Sequence, residues 1–277
     1  MQPAPGTTCT PPTIIAENTP LQVVESFCYL GSIISVDVNI DSDISARLAK
    51  ANYAFERLSK SLWDNHGITL STKVAVYNSA VLTVLLYGSE SWTLYRRHTR
   101  KLHQFHMRCL RRIAHISWQD KVSNTEVLEI CKTTGIEAYL LSVQLRWAGH
   151  VSRMPNDRLP KMIFYGQLEQ GTRLQGGQRK RYKDALKYQL KECEIRPEQF
   201  ENIASERGSW RTLCKSAVAS YEVKRVQLLQ EKRRARKTKV NQPPSQQTIT
   251  NGAFQCHICG KVCAARIGLV SHLRTHP

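Results

Sequence analysis

The chain has 277 residues, 41% of them hydrophobic, enough to bury a core and too many for a disordered tail. A formal net charge of +18 and a pI near 9.7 favour a polyanionic partner, nucleic acid first, over an acidic membrane or a small-molecule substrate. No apolar run approaches the roughly 18 to 20 residues that cross a bilayer, and Met1 to Pro12 lacks the basic flank and apolar centre of a signal peptide. Three of the nine cysteines crowd into residues 256–263 and the rest are scattered, which argues against a secreted disulfide framework and for a reducing, intracellular setting in nucleus and cytoplasm.

Residues 1–40 read as loop followed by short strands around Leu21 to Val24 and Phe27 to Ile34, and the first 46 residues carry no Lys or Arg. So small a strand set is marginal alone and reads as the trailing edge of a larger sheet. From Ile40 the pattern turns helical. Asp41 or Asp43 is placed to cap and to complement the helix dipole, and Ile44, Leu48, Ala51, Phe55 and Leu58 follow at spacings of three and four, ending by Gly67. A second helix runs from Ser71 to Gly88 and is apolar nearly all round in its later part, so it belongs at the centre of a bundle.

A third helix, Leu94 to Ile116, puts Leu102, Phe105, Cys109, Ile113 and Ile116 on one stripe. It also carries Arg96, Arg97, Arg100, Lys101, Arg108, Arg111 and Arg112, seven positive charges with no acid among them. Like charges at that density cost stability unless something neutralises them, so this face is a candidate nucleic-acid contact. Ser123 with Glu126 forms a capping box for a short helix to Lys132, and a further helix runs from Ile136 to about Met154, where Pro155 and Pro160 stop the pattern. Four glycines between Gly166 and Gln178 mark a loop that leads into Arg179, Lys180, Arg181, Tyr182 and Lys183, a second candidate contact, ahead of a helix near Asp184 to Glu192. A last long helix spans roughly Ser209 to Lys237 and ends in a basic run, Lys232 to Lys239, that suits a nuclear import signal or a solvated helix end. The organisation expected is thus residues 1–40 as strands, 41–120 as a helical bundle, 121–239 as a basic helical region, 240–252 as a polar linker and 253–277 as a small terminal module.

That module holds the sharpest chemical signal. Phe254-x-Cys256-x2-Cys259-x12-His272-x3-His276 has the Cys2His2 spacing for tetrahedral Zn2+, two thiolates from a β-turn and two imidazoles one helical turn apart. Phe254 and Leu269 stand at the usual core positions of a ββα finger, while Cys263 replaces the usual Phe. The base-reading positions of such a helix fall on Ala265, Gly268 and Ser271, and none of these makes a bidentate base contact. The finger therefore reads as a structural or sequence-indifferent module.

Other constellations are weaker. Asp37, Asp41 and Asp43 sit at a helix start, where capping explains them better than metal binding. His103, His106 and Cys109 lack a fourth ligand, and Gly171 to Gly177 lacks the Gly-Lys-Ser/Thr ending of a phosphate loop. Of the aromatic residues, Trp92, Trp118, Trp147 and Trp210 read mostly as core, and Tyr182, amid basic residues, reads as a candidate for base stacking.

Five ordered blocks then carry a resemblance. They are Phe27-Cys28-Tyr29-Leu30-Gly31-Ser32, Leu85-Leu86-Tyr87-Gly88-Ser89-Glu90-Ser91-Trp92-Thr93, Gln104-Phe105-His106-Met107-Arg108-Cys109-Leu110-Arg111, Arg146-Trp147-Ala148-Gly149-His150-Val151 and Gly176-Gly177-Gln178-Arg179-Lys180-Arg181-Tyr182-Lys183-Asp184. In that order they resemble the end of the palm, the thumb and the C-terminal region of endonuclease/reverse transcriptase proteins of LINE-type non-LTR retrotransposons, over nearly the whole chain. The resemblance implies a thumb-like helical bundle that grips a template-primer duplex beside a primer grip at Phe27 to Ser32. The family's polymerase uses paired aspartates that hold two metal ions, and no Asp-Asp pair occurs in this sequence. The expectation is a mainly α chain with a short β segment and a C-terminal zinc finger, non-catalytic, binding RNA, DNA or RNA/DNA duplex. The rival readings are a truncated version of a full polymerase/endonuclease and a host zinc-finger regulator.

Overall fold

A computed structural model describes residues 14–36, 39–166, 180–241, 249–250 and 253–276. The chain divides into two compact units, 1–225 and 226–277. The first unit begins with a two-residue ladder, β1 (Ile15–Ala16) with β2 (Thr19–Pro20), and a hairpin, β3 (Ser26–Tyr29) with β4 (Ser32–Ser35). The hairpin turns on Leu30 (φ 48) and Gly31 (φ 82). Two consecutive positive φ values match the type I′ turn, whose twist suits antiparallel strands and which favours glycine in its second place. Leu21 to Val24, expected as a strand, has no strand pairing. All four residues are exposed, so nothing rewards an extended partner there.

The helical body follows as α1 (Asp41–Arg57), α2 (Leu70–Val76), α3 (Thr83–Leu85), α4 (Arg96–Ile113), α5 (Asn124–Ile130), α6 (Ile136–Ser152), α7 (Leu159–Tyr165), α8 (Tyr182–Glu192), α9 (Phe200–Ser205) and α10 (Arg207–Asn241). A π-helical stretch, Tyr77–Leu82, joins α2 to α3, so the predicted second helix is one continuous helical run ended at Gly88 (φ 78). The predicted capping box is present: Glu126 N–H donates to Ser123 Oγ at 3.3 Å, and Ser123 N–H donates to Glu126 Oε2 at 2.8 Å. Pro160 begins a helix instead of stopping one, because it lies in the first turn of α7, where an N–H has no intrahelical acceptor.

The Asp pair at the start of α1 does more than complement a dipole. The N-cap, Ile40, makes no side-chain bond, and Asn39 Oδ1 accepts the Asp41 N–H at 3.0 Å instead. Asp43 is buried; its Oδ2 accepts the Trp92 indole N–H at 2.8 Å and its Oδ1 accepts the Ile33 N–H at 3.1 Å. One carboxylate thus ties the hairpin and the Trp92 corner to α1. Gln144 Nε2 donates to the Trp92 carbonyl at 2.9 Å and draws α6 to the same corner.

His106 of α4 is fully buried with both ring nitrogens occupied. Nε2 faces the Thr134 carbonyl at 3.1 Å and therefore carries the proton, which leaves Nδ1 to accept from Tyr77 Oη at 2.9 Å. Burial depresses its pKa from 6.5 to about 4, although the Thr134 carbonyl favours the protonated form. A histidine held neutral in the fold binds fewer protons than in the unfolded chain. Its contribution is therefore complete above pH 6.5 and is lost as pH falls toward about 4. Chemical denaturation across that window should show roughly 3 kcal/mol of destabilisation. His106→Gln, which keeps a donor for Thr134, should flatten that part of the profile; an unchanged slope in the variant would assign the acid sensitivity elsewhere.

Two hydrophobic cores lie side by side along the unit. Ile44, Phe55, Trp63, Tyr77, Leu102, Leu110 and Ile136 belong to the first, which closes at Leu140; Leu141, Leu145, Leu186, Phe200 and Trp210 belong to the second. The two cores meet within α6, which contributes Leu140 to one and Leu141 and Leu145 to the other. Trp210 crosses Gly149 closely: a Cβ at Gly149 would lie 2.1 Å from Trp210 Nε1, which donates to the Leu145 carbonyl at 3.2 Å. The glycine of the Arg146–Val151 block is thus a packing requirement. Gly149→Ala should destabilise by about 1–3 kcal/mol in a denaturant titration, despite alanine's better helix propensity. A stabilised variant would mean that the indole yields without cost. Trp92 and Trp210 are core as expected, Trp63 is core as well, and Trp147 is half-buried, but Trp118 is 85% exposed. It sits on a short 3-10 turn, Trp118–Asp120, outside any helix stripe.

The second unit holds a three-stranded sheet, β5 (Ile249–Thr250), β6 (Ala253–Gln255) and β7 (Val262–Cys263), followed by α11 (Arg266–Leu273). The helix α10 reaches Asn241 and β5 starts at Ile249; residues 242–248 and 251–252 of the expected linker lie outside the described residues. Among the described residues no helix is long and apolar enough to cross a membrane.

Candidate nucleic-acid interface and metal centre

The basic residues of α4 divide by environment. Arg97 pairs with Asp41 at 2.6 Å, Arg112 with Glu56 at 3.1 Å and Asp64 at 3.5 Å, and Arg108 donates to Asn52 Oδ1. Arg111 donates to the Val122 carbonyl at 2.8 Å and to Asn124 Oδ1 at 2.9 Å, clamping the loop before α5. Acids on other segments thus supply part of the neutralisation that the helix itself lacks. Arg96, Arg100 and Lys101 are exposed and make no ion pair among the described residues. The first turn of α4 contains no acid, so these charges sit against the positive end of its dipole.

Asp41 and His98 hold that helix start. His98 is buried; its Nδ1 accepts the Tyr95 N–H at 3.3 Å, and its Nε2 lies 2.8 Å from Asp41 Oδ1 and 3.1 Å from Arg97 Nε. Burial lowers the His98 pKa, with Asp41 acting in the opposite direction. Burial also acts to raise the Asp41 pKa, but bonds from Arg97, Asn39 and His98 outweigh it and hold the carboxylate below its usual range.

Tyr95 joins the two basic segments. Lys180 N–H donates to Tyr95 Oη at 3.1 Å, and Lys180 Nζ lies 5.5 Å from the ring centroid. The Arg97 guanidinium lies 5.4 Å from the same ring. Cation–π contact with one phenol therefore draws cations from segments 85 residues apart onto one surface. Tyr95 was not singled out from the sequence; an aromatic residue just ahead of a basic run was the available signal. In the neighbouring segment, Arg181 chelates Asp184 at 2.9 and 3.1 Å, and Lys183 Nζ lies 5.8 Å from the Tyr165 ring. Tyr182 does not offer an open stacking face. Its ring packs edge-on against Phe164 at 6.0 Å, and its hydroxyl is buried, which pushes the phenol pKa up, with Glu90 adding to the shift. Arg179, Asp37 and the glycines 171–177 lie outside the described residues.

In the second unit the four predicted ligands converge. The ligand atoms of Cys256, Cys259, His272 and His276 all lie within 4.8 Å of one another. Cys256 Sγ is 3.4 Å from His276 Nε2, Cys259 Sγ is 3.0 Å from His272 Nε2, and the two Nε2 atoms are 3.1 Å apart. The edges of a tetrahedron with metal–sulfur and metal–nitrogen bonds of ordinary length are about 3.3–3.8 Å, so the cluster could hold a metal ion after small adjustment. The turn is built by Gly260 (φ 73), with Gly260 N–H donating to the Cys256 carbonyl and Cys256 N–H to the Lys261 carbonyl, each at 2.8 Å. Burial works against a Cys256 thiolate, and the Cys259 and Ile258 N–H groups more than offset it, holding the thiol below the ordinary cysteine range. Burial, then the neighbouring His276 and Lys261, keep His272 toward the neutral form that ligates metals. Phe254 pairs with Cys263 across β6 and β7, and Leu269 is buried beneath them, as the spacing predicted.

The chain is 25% identical over 203 residues to an uncharacterized transposon-derived protein of Caenorhabditis elegans, an alignment that covers 70% of this chain and 72% of the worm protein. It is thus related to a transposon-derived protein. No family model and no solved structure matches.

Proposed function

We propose that this protein is a non-catalytic, sequence-tolerant nucleic-acid-binding segment of LINE-type reverse-transcriptase descent, and that its C-terminal element is a Cys2His2 finger carrying Zn2+. The observation that carries the reading is the convergence of Arg97 and Lys180 on the Tyr95 ring, on the helix that also carries the exposed Arg96, Arg100 and Lys101. Cations gathered beside an aromatic ring suit a phosphate backbone, whose neutralisation releases counterions whatever the base sequence. The transposon-derived relative supports the descent, and the five ordered blocks support the reverse-transcriptase part of it. The absence of an Asp-Asp pair from the sequence supports the non-catalytic part. Zinc is the ion that two thiolates and two imidazoles at this spacing favour.

Fluorescence anisotropy of the zinc-loaded chain with RNA, DNA and RNA/DNA duplexes across a salt series tests the reading. The expected binding falls steeply with salt and is indifferent to scrambling of the sequence. Arg96→Gln with Arg100→Gln and Lys101→Gln should lower the log–log salt slope by about one for each phosphate that is no longer neutralised. Arg112→Gln, which removes a charge already engaged by Glu56 and Asp64, should change it less. Absence of binding at moderate salt rejects the proposal.

A further inference from the structure

A second concentration of arginine lies away from Tyr95, between α6 and α10. Arg146, His150 and Arg153 follow one another at spacings of four and three along α6, and Arg207 and Arg211 are four apart on α10, so each set occupies one helix face. The close crossing of Trp210 over Gly149 brings the two faces together. Between them is a cleft of about 430 Å³ lined by Arg146, His150, Arg153, Arg207, Trp210 and Arg211. An adjoining cleft of about 440 Å³ shares His150 and Arg153 and adds Arg158.

The volume falls within the roughly 300–1,000 Å³ of small-molecule sites, and four of the six residues that line it are arginines. Its lining contains no carboxylate. Arg112 and Arg97 on α4 face acids, whereas Arg146, Arg153, Arg158, Arg207 and Arg211 make no ion pair among the described residues. Arg146 Nε donates to the Ser142 carbonyl of its own helix at 3.3 Å, and one Arg153 nitrogen donates to the Ala204 carbonyl at 2.6 Å, which leaves donors on both for a ligand. Glu206 lies within the field of Arg153, but its carboxylate accepts from Gly208 N–H at 2.8 Å and from Ser209 N–H, and so serves the start of α10. The cations of the lining are arginines, the side chain whose planar fork matches a phosphate in bidentate fashion.

We infer that this cleft is a second phosphate-binding site, taking backbone phosphates of a nucleic-acid strand, with Arg146, Arg207 and Arg211 as the contacting groups and Arg153 anchored at its rear. The inference rests on the nucleic-acid reading above, and it adds a contact surface that this reading does not need.

The test uses the full zinc-loaded chain and the same duplexes. Arg146→Gln with Arg207→Gln and Arg211→Gln is compared with a charge-matched control at exposed lysines away from the cleft, Lys60→Gln with Lys187→Gln and Lys191→Gln, after circular dichroism and thermal melting confirm that both fold as wild type. The cleft variant should bind about tenfold or more weakly and lose about two units of salt slope, while the control changes far less. Equal weakening in the control would reduce the effect to net charge and overturn the site. A cleft variant that binds as wild type also overturns it, and leaves the Tyr95 surface standing. Absence of wild-type binding rejects the nucleic-acid reading and this inference with it. A further arm adds inorganic tripolyphosphate: if it raises the melting temperature of wild type but not of the cleft variant, while duplex binding is equal in the two, the cleft takes free polyphosphate and the strand assignment is overturned.

Discussion

If the proposed zinc holds it, the element spanning residues 253–276 is expected to lose its fold in a strong chelator. Its strands β6 and β7 are three and two residues long, its helix has eight, and Cys256 and Leu269 are its buried core residues among those described. So little apolar surface cannot offset the ordering of some twenty residues, and the proposed metal ion would supply the difference. Structural zinc in peptides of this kind contributes about 10–16 kcal/mol at neutral pH. Amide spectra of the full chain should show the peaks of residues 253–276 collapse on chelation and return with zinc, while those of α1 to α6 stay in place. Cys259→Ser should reproduce the chelated state at ordinary zinc concentration. Substitution with Co2+ should give the absorption bands of a tetrahedral site with two sulfur ligands. A dispersed finger spectrum without metal would show that the module holds itself together and that the four side chains converge for another reason.

The largest single-residue effect in the first unit is expected at Asp43. Its two oxygens accept from Trp92 and Ile33, and Arg47, itself buried, lies 4.0 Å away with its Nε lacking a hydrogen-bond partner. Arg47 also packs over the Tyr87 ring at 4.5 Å and donates to Ser32 Oγ at 3.2 Å. Asp43→Ala leaves the buried Trp92 donor and the part-buried Ile33 donor unsatisfied and a buried guanidinium without its counter-charge, a combination that costs about 3–5 kcal/mol. Equilibrium denaturation should show that loss, and adding Arg47→Met should recover part of it, since the stranded charge is then gone. If the single variant loses less than about 1 kcal/mol, water must reach the Asp43 site and the corner is not the lock described above.

Much of this architecture was legible in the sequence because helices announce themselves through spacing. The stripe from Ile44 to Phe55, the Ser123–Glu126 box and the Cys2His2 quartet each lie within a few turns of chain, where local geometry fixes which atoms meet. What spacing reports is that a residue is buried, not what it is buried against. The pairing of Tyr95 with Lys180 and of Asp43 with Trp92 spans 85 and 49 residues, so neither could be read locally. For the same reason the candidate contacts on α4 were read as one class, although Arg97, Arg111 and Arg112 prove to be held by residues elsewhere in the chain. Tyr182 was misleading in a related way: its basic neighbours suggested exposure, while its hydroxyl is buried and Phe164 packs edge-on against its ring. Asp43 was placed correctly at a helix start, but its interior use could not be seen without the tryptophan that closes over it.

The position of α6 has a consequence for how the first unit comes apart. Leu140 belongs to one core and Leu141 to the next, so a single helix is a wall of both. Melting either core removes a wall from the other and exposes its apolar surface to water, so partial unfolding gains chain entropy from one half while forfeiting burial in both. The unit is thereby wired to respond to heat or denaturant in a single cooperative step. A proteolytic cut anywhere in residues 136–152 would dismantle both halves together instead of releasing one of them intact.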